Sequence, residues 1–210
     1  MSAATDELFD TGFASLPLMA ILRGFTPSRT VELCSRAWEL GITLVEVPVQ
    51  SDDALEALRL AVRAGAARGA IVGAGTVTSA HRVAAAATAG AAFTVAPGFS
   101  RTVAEASLAA GMPHLPGVAT PSDIQQAQEL GLTWLKAFPA AELGTGWFAA
   151  MRGPFPDIRL VATGGMTLEN TAQFLAAGAT AVSLGSALAD EDQFAALPGL
   201  VAQLQSGGTR

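Results

Sequence analysis

The stretch Leu44-Val45-Glu46-Val47-Pro48, followed closely by the Ala-, Leu-, Glu- and Arg-rich segment Asp53 to Ala64, decides the fold. A short apolar run stopped by a proline reads as a strand buried on both faces. The segment after it reads as a helix. The same unit recurs in both directions along the chain. Strand candidates begin near Leu18, Leu44, Ala70, Ala92, Pro113, Thr133, Arg159 and Ala181. Helical segments cover Pro27 to Leu40, Asp53 to Ala64, Ala80 to Ala89, Val103 to Ala110, Ser122 to Leu130 and Leu168 to Ala177. The spacing of strands is roughly 20 to 25 residues, repeated eight times. Buried strands separated by helices make a parallel sheet, and eight such units close into an α/β (β/α)8 TIM barrel. At 210 residues the chain is near the short end for that architecture. No linker or composition shift divides it, so residues 1–210 read as a single domain. Met1 to Ser15 is expected to form a lead helix over the bottom of the barrel, Phe194 to Leu204 the last helix, and Ser206 to Arg210 a loose tail.

Composition narrows the function classes. Half of the chain is apolar and only 14% is charged, well under the usual quarter. Burial of surface in an oligomer gives that figure, and so does an Ala-rich composition. The net charge is −6 and no stretch is a basic cluster, which argues against nucleic acid and against an anionic membrane surface. No apolar run approaches the roughly 20 residues of a membrane span. Met1 to Ser15 carries Asp6, Glu7 and Asp10 and no basic residue, unlike a signal peptide. Cys34 is the only cysteine, so no internal disulfide forms and nothing points outside the cytoplasm.

Lys136 is the only lysine; the rest of the Lys+Arg count of 12 is arginine. It lies in Leu132-Thr133-Trp134-Leu135-Lys136-Ala137-Phe138-Pro139. Arginine keeps its proton near neutral pH and cannot serve as an amine nucleophile. A lysine among apolar neighbours is desolvated, which makes the neutral, nucleophilic amine accessible. The alternative is a lysine snorkelling from a strand end to water. Strand alternation puts Leu44 with Glu46 on one face, and Trp134 with Lys136 and Phe138 on one face. Two strands thus each carry one ionisable residue amid apolar ones, at the C-terminal barrel face where chemistry collects. A buried structural ion pair is the competing reading.

Gly73-Ala74-Gly75-Thr76-Val77-Thr78 follows a strand as a dinucleotide loop would. It lacks the third glycine, and no acidic residue ends the next strand, Phe93-Thr94-Val95-Ala96. Thr163-Gly164-Gly165-Met166-Thr167 and Leu184-Gly185-Ser186 follow the seventh and eighth strands. Barrels often hold phosphate in those two loops, because glycines let backbone N–H groups approach an anion. Tight turns alone would also explain them. Thr167 with Asn170 is helix-start chemistry. His81 and His114 have no metal-ligand spacing; His81 reads as solvent-facing and His114 as a satisfied structural residue.

Taken together, several motifs resemble the 2-keto-3-deoxy-6-phosphogluconate (KHG/KDPG) aldolase family of class I aldolases. They are Met19-Ala20-Ile21-Leu22-Arg23-Gly24, Val45-Glu46-Val47-Pro48, Gly73 to Val77, Ala96-Pro97-Gly98, Leu115 to Pro121, Leu135 to Ala140, Gly153-Pro154-Phe155-Pro156 and Thr163-Gly164-Gly165. The resemblance implies a barrel that assembles as a homotrimer and acts in cytoplasmic carbohydrate metabolism of the Entner-Doudoroff type. It implies Lys136 as the Schiff-base lysine and Glu46 as general acid/base. Arg23 and Thr76 would hold the pyruvoyl end, with Pro97 lining that pocket. Gly164, Gly165, Gly185 and Ser186 would bind the phosphate. No metal and no cofactor is implied, because the iminium itself polarises the substrate.

Two positions give opposing clues to the substrate. One branch of the family has an arginine four residues after the glutamate; this chain has Gln50 there, with Pro48 before it, which is similar to the phosphogalactonate aldolase branch. Thr163 before Gly-Gly resembles the phosphogluconate branch, where a threonine meets the C4 hydroxyl. The phosphogluconate substrate is favoured, with its C4 epimer and 4-hydroxy-2-oxoglutarate as alternatives. A phosphate-binding barrel isomerase or epimerase, or a sugar-phosphate sensor, would use the same late loops but has no need of an amine opposite a glutamate.

Overall fold

In the computed structural model, which describes residues 2–207, the chain runs through nine short parallel strand segments and nine helices. The strands are β1 (Leu18–Ile21), β2 (Leu44–Pro48), β3 (Ile71–Gly75), β4 (Thr94–Val95), β5 (His114–Leu115), β6 (Gly117–Val118), β7 (Trp134–Ala137), β8 (Arg159–Thr163) and β9 (Ala181–Leu184). They are hydrogen-bonded in the order β5-β4-β3-β2-β1-β9-β8-β7-β6. The end segments β5 and β6 are two halves of one barrel position, divided by Pro116, which has no N–H to give. β5 pairs with β4 and β6 with β7. Between them the Pro116 carbonyl accepts from the Lys136 N–H at 2.8 Å. The sheet thus closes as a (β/α)8 barrel, with the eight expected positions filled by nine segments.

The helices are α1 (Ser2–Phe13), α2 (Pro27–Glu39), α3 (Asp52–Ala66), α4 (Ala80–Thr88), α5 (Arg101–Ala109), α6 (Pro121–Glu129), α7 (Ala140–Met151), α8 (Leu168–Ala176) and α9 (Glu191–Gly207). Most of the loops that lead from strand to helix end in a hydroxyl cap. Thr26, Ser51, Ser79, Ser100, Thr120 and Thr167 each accept from an N–H of the first helical turn. Thr120 with Asp123 and Thr167 with Asn170 form reciprocal capping boxes. The sequence reading names no helical segment between β7 and β8. The chain there is α7, two helical stretches joined at Gly144, which takes φ 73°. α9 is longer than expected, extending through Ser206 to Gly207; the rest of the expected loose tail, 208–210, lies outside the described residues.

Strand alternation sorts the core in two. Outward residues such as Ala20, Val45, Val47, Leu135, Ala162 and Val182 pack under the helices. Inward residues form layers drawn from alternate barrel positions. Leu44, Phe93, Trp134 and Ala181 make the lowest layer, and Met19, Leu115 and Val161 the next, all in one buried cluster with Phe9 and Phe13 of α1. Gly73 completes that second layer, and a Cβ on it would lie 2.3 Å from the Phe93 ring. α1 plugs the N-terminal end: Trp134 Nε1 donates to Asp10 Oδ1 at 3.0 Å and Thr133 Oγ1 to Asp6 Oδ1 at 2.6 Å. The barrel is solid from below, and the layers above it hold the ionisable residues.

His114 differs from its expected satisfied state. Its Nδ1 meets Thr94 Oγ1 at 2.8 Å, and Thr94 also meets Ser107 Oγ at 2.6 Å, but the buried Nε2 has no partner. Burial pushes the imidazole down to about 4 from 6.5. Between those values the unfolded chain binds a proton that the folded chain refuses. Stability conferred by His114 is therefore intact above about pH 6.5 and is lost as the pH falls toward 4, by up to roughly 3 kcal/mol. Thermal unfolding followed by circular dichroism should show this acid loss in the native chain, and a flatter profile over the same range in His114→Gln. Parallel profiles would assign the acid sensitivity to other groups.

Candidate active site

Lys136 stands at an inward position of β7 and Glu46 at an inward position of β2, across the barrel from each other. The two are 3% and 0% exposed, and Lys136 Nζ lies 3.6 Å from Glu46 Oε2. The strand parity that put Glu46 above Leu44, and Lys136 above Trp134, is what brings them face to face on the packed lower layers. Among the described residues, neither carboxylate oxygen of Glu46 finds a hydrogen-bond donor. A structural buried pair holds its charges with further hydrogen bonds, because the Coulombic attraction alone does not offset desolvation. This carboxylate has only the amine.

Gly75 makes the arrangement possible. A Cβ at that position would fall 2.0 Å from Glu46 Oε1, so any side chain there would occupy the space of the carboxylate. Gly117 plays the same part for the backbone: its Cβ would lie 2.2 Å from the Pro97 carbonyl. The sequence reading met Gly75 in a loop-like motif and Gly117 at a strand end, and gave neither a packing role. Their role depends on which groups face them across the barrel.

Above the pair opens a cavity of about 750 Å³ at the C-terminal ends of the strands. Arg23, Thr76, Pro97, Lys136, Thr163, Gly164, Gly165, Gly185 and Ser186 all line it. Glu46 lies just beneath, reached through Lys136. Every residue that the resemblance assigns to catalysis or substrate binding is therefore in or under one site. The wall also includes Ile21, Phe25, Phe138, Met166 and Ser183, which the sequence reading did not single out. Phe138 faces the amine, with its ring centre 5.5 Å from Nζ. Ser183 was legible in principle, since it stands two residues before Gly185 on the same strand face.

Two loops hold unusual backbone. Thr76 has φ +55°, a left-handed conformation that costs a β-branched residue stability. Arg82 of α4 fixes it, donating to the Thr76 carbonyl and to Thr78 Oγ1, both at 3.0 Å. Opposite, Gly164 and Gly165 take φ 94° and 70°. Asn170 Nδ2 donates to the Gly165 carbonyl at 3.0 Å, and the Ala141 N–H donates to the Gly164 carbonyl at 3.0 Å. With their carbonyls held outward, the N–H groups of Gly164 and Gly165, like those of Gly185 and Ser186, donate to no other described residue. Such a set of free N–H groups suits an anion. At the cavity rim, Arg23 Nη1 donates to Gln50 Oε1 at 2.5 Å, so Gln50 orients the arginine.

Other groups are set aside by geometry. The buried Cys34 thiol is pushed up to about 12 by desolvation and lies away from the cavity. Among the described residues, no three His, Cys, Asp or Glu side chains converge as a metal-ligand set. No described helix is long and apolar enough to cross a membrane.

Known proteins resemble this chain over most of its length. The family model described as KDPG and KHG aldolase matches residues 10–199. A 2-dehydro-3-deoxy-6-phosphogalactonate aldolase of Escherichia coli is 36% identical over 174 residues, 82% of this chain and 84% of that one. A 2-dehydro-3-deoxy-phosphogluconate aldolase of Pseudomonas aeruginosa is 40% identical over 138 residues, 65% of this chain and 61% of that one. The crystal structure of a KDPG aldolase from Legionella pneumophila, with pyruvate captured as a covalent carbinolamine, superposes with a TM-score of 0.78 at 26% identity, covering 97% of this chain and 95% of that one. With a barrel whose buried amine and carboxylate meet beneath an anion-suited rim, and a family match over almost its whole length, the chain belongs to the KDPG and KHG aldolase family.

Proposed function

We propose that this chain is a class I aldolase that reversibly cleaves 2-keto-3-deoxy-6-phosphogluconate to pyruvate and glyceraldehyde 3-phosphate, through a Schiff base on Lys136. The observation that carries the reading is the buried 3.6 Å approach of the only lysine to an otherwise unpartnered carboxylate, at the floor of an open cavity. In this reading the neutral amine of Lys136 attacks the C2 ketone to give a carbinolamine, which loses water to form an iminium. Glu46 takes the proton of the C4 hydroxyl, and the electrons of the C3–C4 bond flow into the iminium to give an enamine. The aldehyde leaves, the enamine is protonated at C3, and water hydrolyses the pyruvate iminium. Arg23, Thr76 and Pro97 face the carboxylate end. Gly164, Gly165, Gly185 and Ser186 receive the phosphate, and Thr163 lies between.

The C4 epimer, 2-keto-3-deoxy-6-phosphogalactonate, is the second reading. It is favoured by Gln50 and by the Escherichia coli relative's named activity. The enzyme is further proposed to be a cytoplasmic homotrimer of the Entner-Doudoroff type, acting without metal or cofactor. The thinly charged surface supports assembly, since 14% charged residues suits a chain that buries part of its exterior.

Incubation with pyruvate and borohydride should add one pyruvoyl-derived group, mapped by mass spectrometry to Lys136. An unmodified Lys136 would falsify the Schiff-base assignment. Lys136→Arg should fold and lose activity by orders of magnitude.

Activity should persist in EDTA. Loss on chelation, with recovery on adding zinc or magnesium, would point instead to a metal-dependent aldolase.

Glu46→Gln and Ser186→Ala should fail differently. The first should still form the iminium but cleave far more slowly, with no acceptor for the C4 hydroxyl proton. The second should trap pyruvate almost normally, yet lose its preference for glyceraldehyde 3-phosphate over glyceraldehyde in condensation, because phosphate binding places the reacting end. Equal losses with both aldehydes would remove the phosphate role from Ser186.

A further inference from the structure

Ser183 is a buried serine with nothing to do in the fold. It sits on β9, 2% exposed, and its hydroxyl makes no hydrogen bond to any described residue. A buried hydroxyl without a partner costs stability, so packing does not account for it. The residue lines the same cavity as Lys136. Register fixes its depth. Lys136 pairs with Val161, Val161 with Ala181, and Thr163 with Ser183. On the other side of β9, Ser183 pairs with Met19, which pairs with Leu44. Carried round the tilted barrel, these pairings put Ser183 in one inward layer with Glu46, Val95 and Lys136, drawn from alternate positions. Three of the four members of that layer are therefore polar, and each of the three is buried.

The position of Ser183 on the wall identifies what it meets, on the aldolase reading above. A substrate joined at C2 to Lys136, with its phosphate at Gly164-Gly165 and Gly185-Ser186, runs along β8 and β9. Its C3 is a methylene and offers no hydrogen bond. The first polar group on that wall, at the depth of the amine, is the C4 oxygen. We propose that Ser183 Oγ–H donates to the C4 oxygen of the substrate, from the stretch of wall between Lys136 and Glu46. During cleavage Glu46 takes the C4 hydroxyl proton, the C3–C4 electrons enter the iminium, and the C4 oxygen becomes the aldehyde carbonyl. Ser183 keeps its proton throughout and stabilises the negative charge that grows on that oxygen. In condensation the same contact polarises the aldehyde.

The test separates C4 chemistry from C2 chemistry. Exchange of pyruvate methyl protons with deuterated water needs the Lys136 iminium and enamine but no C4 oxygen. Donors aimed at a developing oxyanion are worth about 10²–10³ in rate, and a shared, partial charge less. Ser183→Ala should therefore lower kcat for cleavage of the better C4 epimer about 10- to 100-fold. Methyl exchange should stay within about twofold of native, and KM should change little. Ser183→Thr, which keeps the hydroxyl, should recover most of the cleavage rate. The Ala variant should melt no lower than the native chain, since no hydrogen bond is lost. Unchanged cleavage in Ser183→Ala would overturn the proposal. So would cleavage and exchange falling by the same factor, which would put the hydroxyl in C2 chemistry or in the fold. Absence of exchange in the native chain would instead sink the aldolase reading itself, and this inference with it.

Discussion

The site rests on one electrostatic constraint: a lysine and a glutamate confined together in the water-poor interior of a barrel, with 3.6 Å between Nζ and the nearer carboxylate oxygen. Two ions brought out of water there are stable only if each answers the other. Strand register and depth are what bring the two together. Both carboxylate oxygens are left without hydrogen bonds from the described residues, so the pair is complete as an ion pair and incomplete as a polar network. A substrate that supplies the missing partners is bound where the chemistry occurs.

The rest of the barrel serves that constraint. Below it, Phe9 and Phe13 from α1 join Leu44, Phe93 and Trp134 in a dense apolar plug, which keeps water from reaching the pair from the N-terminal end. The T-shaped contact of Phe9 with Phe93, at 5.5 Å, and the stacked contact of Phe13 with Trp134, at 5.0 Å, tie the lead helix to the barrel floor. Above it, glycines replace side chains where the layers would otherwise continue. Gly75 yields its volume to the Glu46 carboxylate and Gly117 lets two strands approach. The cavity is thus the upper part of a barrel core whose side chains have been removed on one side and made polar on the other.

The rim adds positional control through backbone rather than charge. Thr76 is held left-handed by Arg82, and Gly165 is turned by Asn170, which also closes the capping box of α8. Each clamp comes from the first turns of the helix that follows the loop. Loop shape is therefore coupled to helix docking on the barrel wall, and a rigid scaffold sets the geometry of the functional loops. Arg23 is different: it is exposed and is oriented by Gln50 from the loop that follows β2.

Much of this was written in local pattern. Apolar runs ending in turns gave the alternation of strands and helices, and period-2 alternation placed Glu46 over Leu44 and Lys136 over Trp134 on inward faces. Residue chemistry marked the lone amine and the late glycines. What local pattern could not supply was anything that depends on closing the ring. The 3.6 Å distance, the volume surrendered at Gly75, the half-satisfied His114 and the depth of Ser183 follow from how register accumulates over every strand pair around the barrel. α7 is two helical stretches that meet at a non-helical Gly144, so it carries no continuous helical period for a sequence to show. Sequence by itself determined which side chains face inward, because that is a property of each strand alone. Tertiary structure decided which of them meet, because that is a property of the closed barrel.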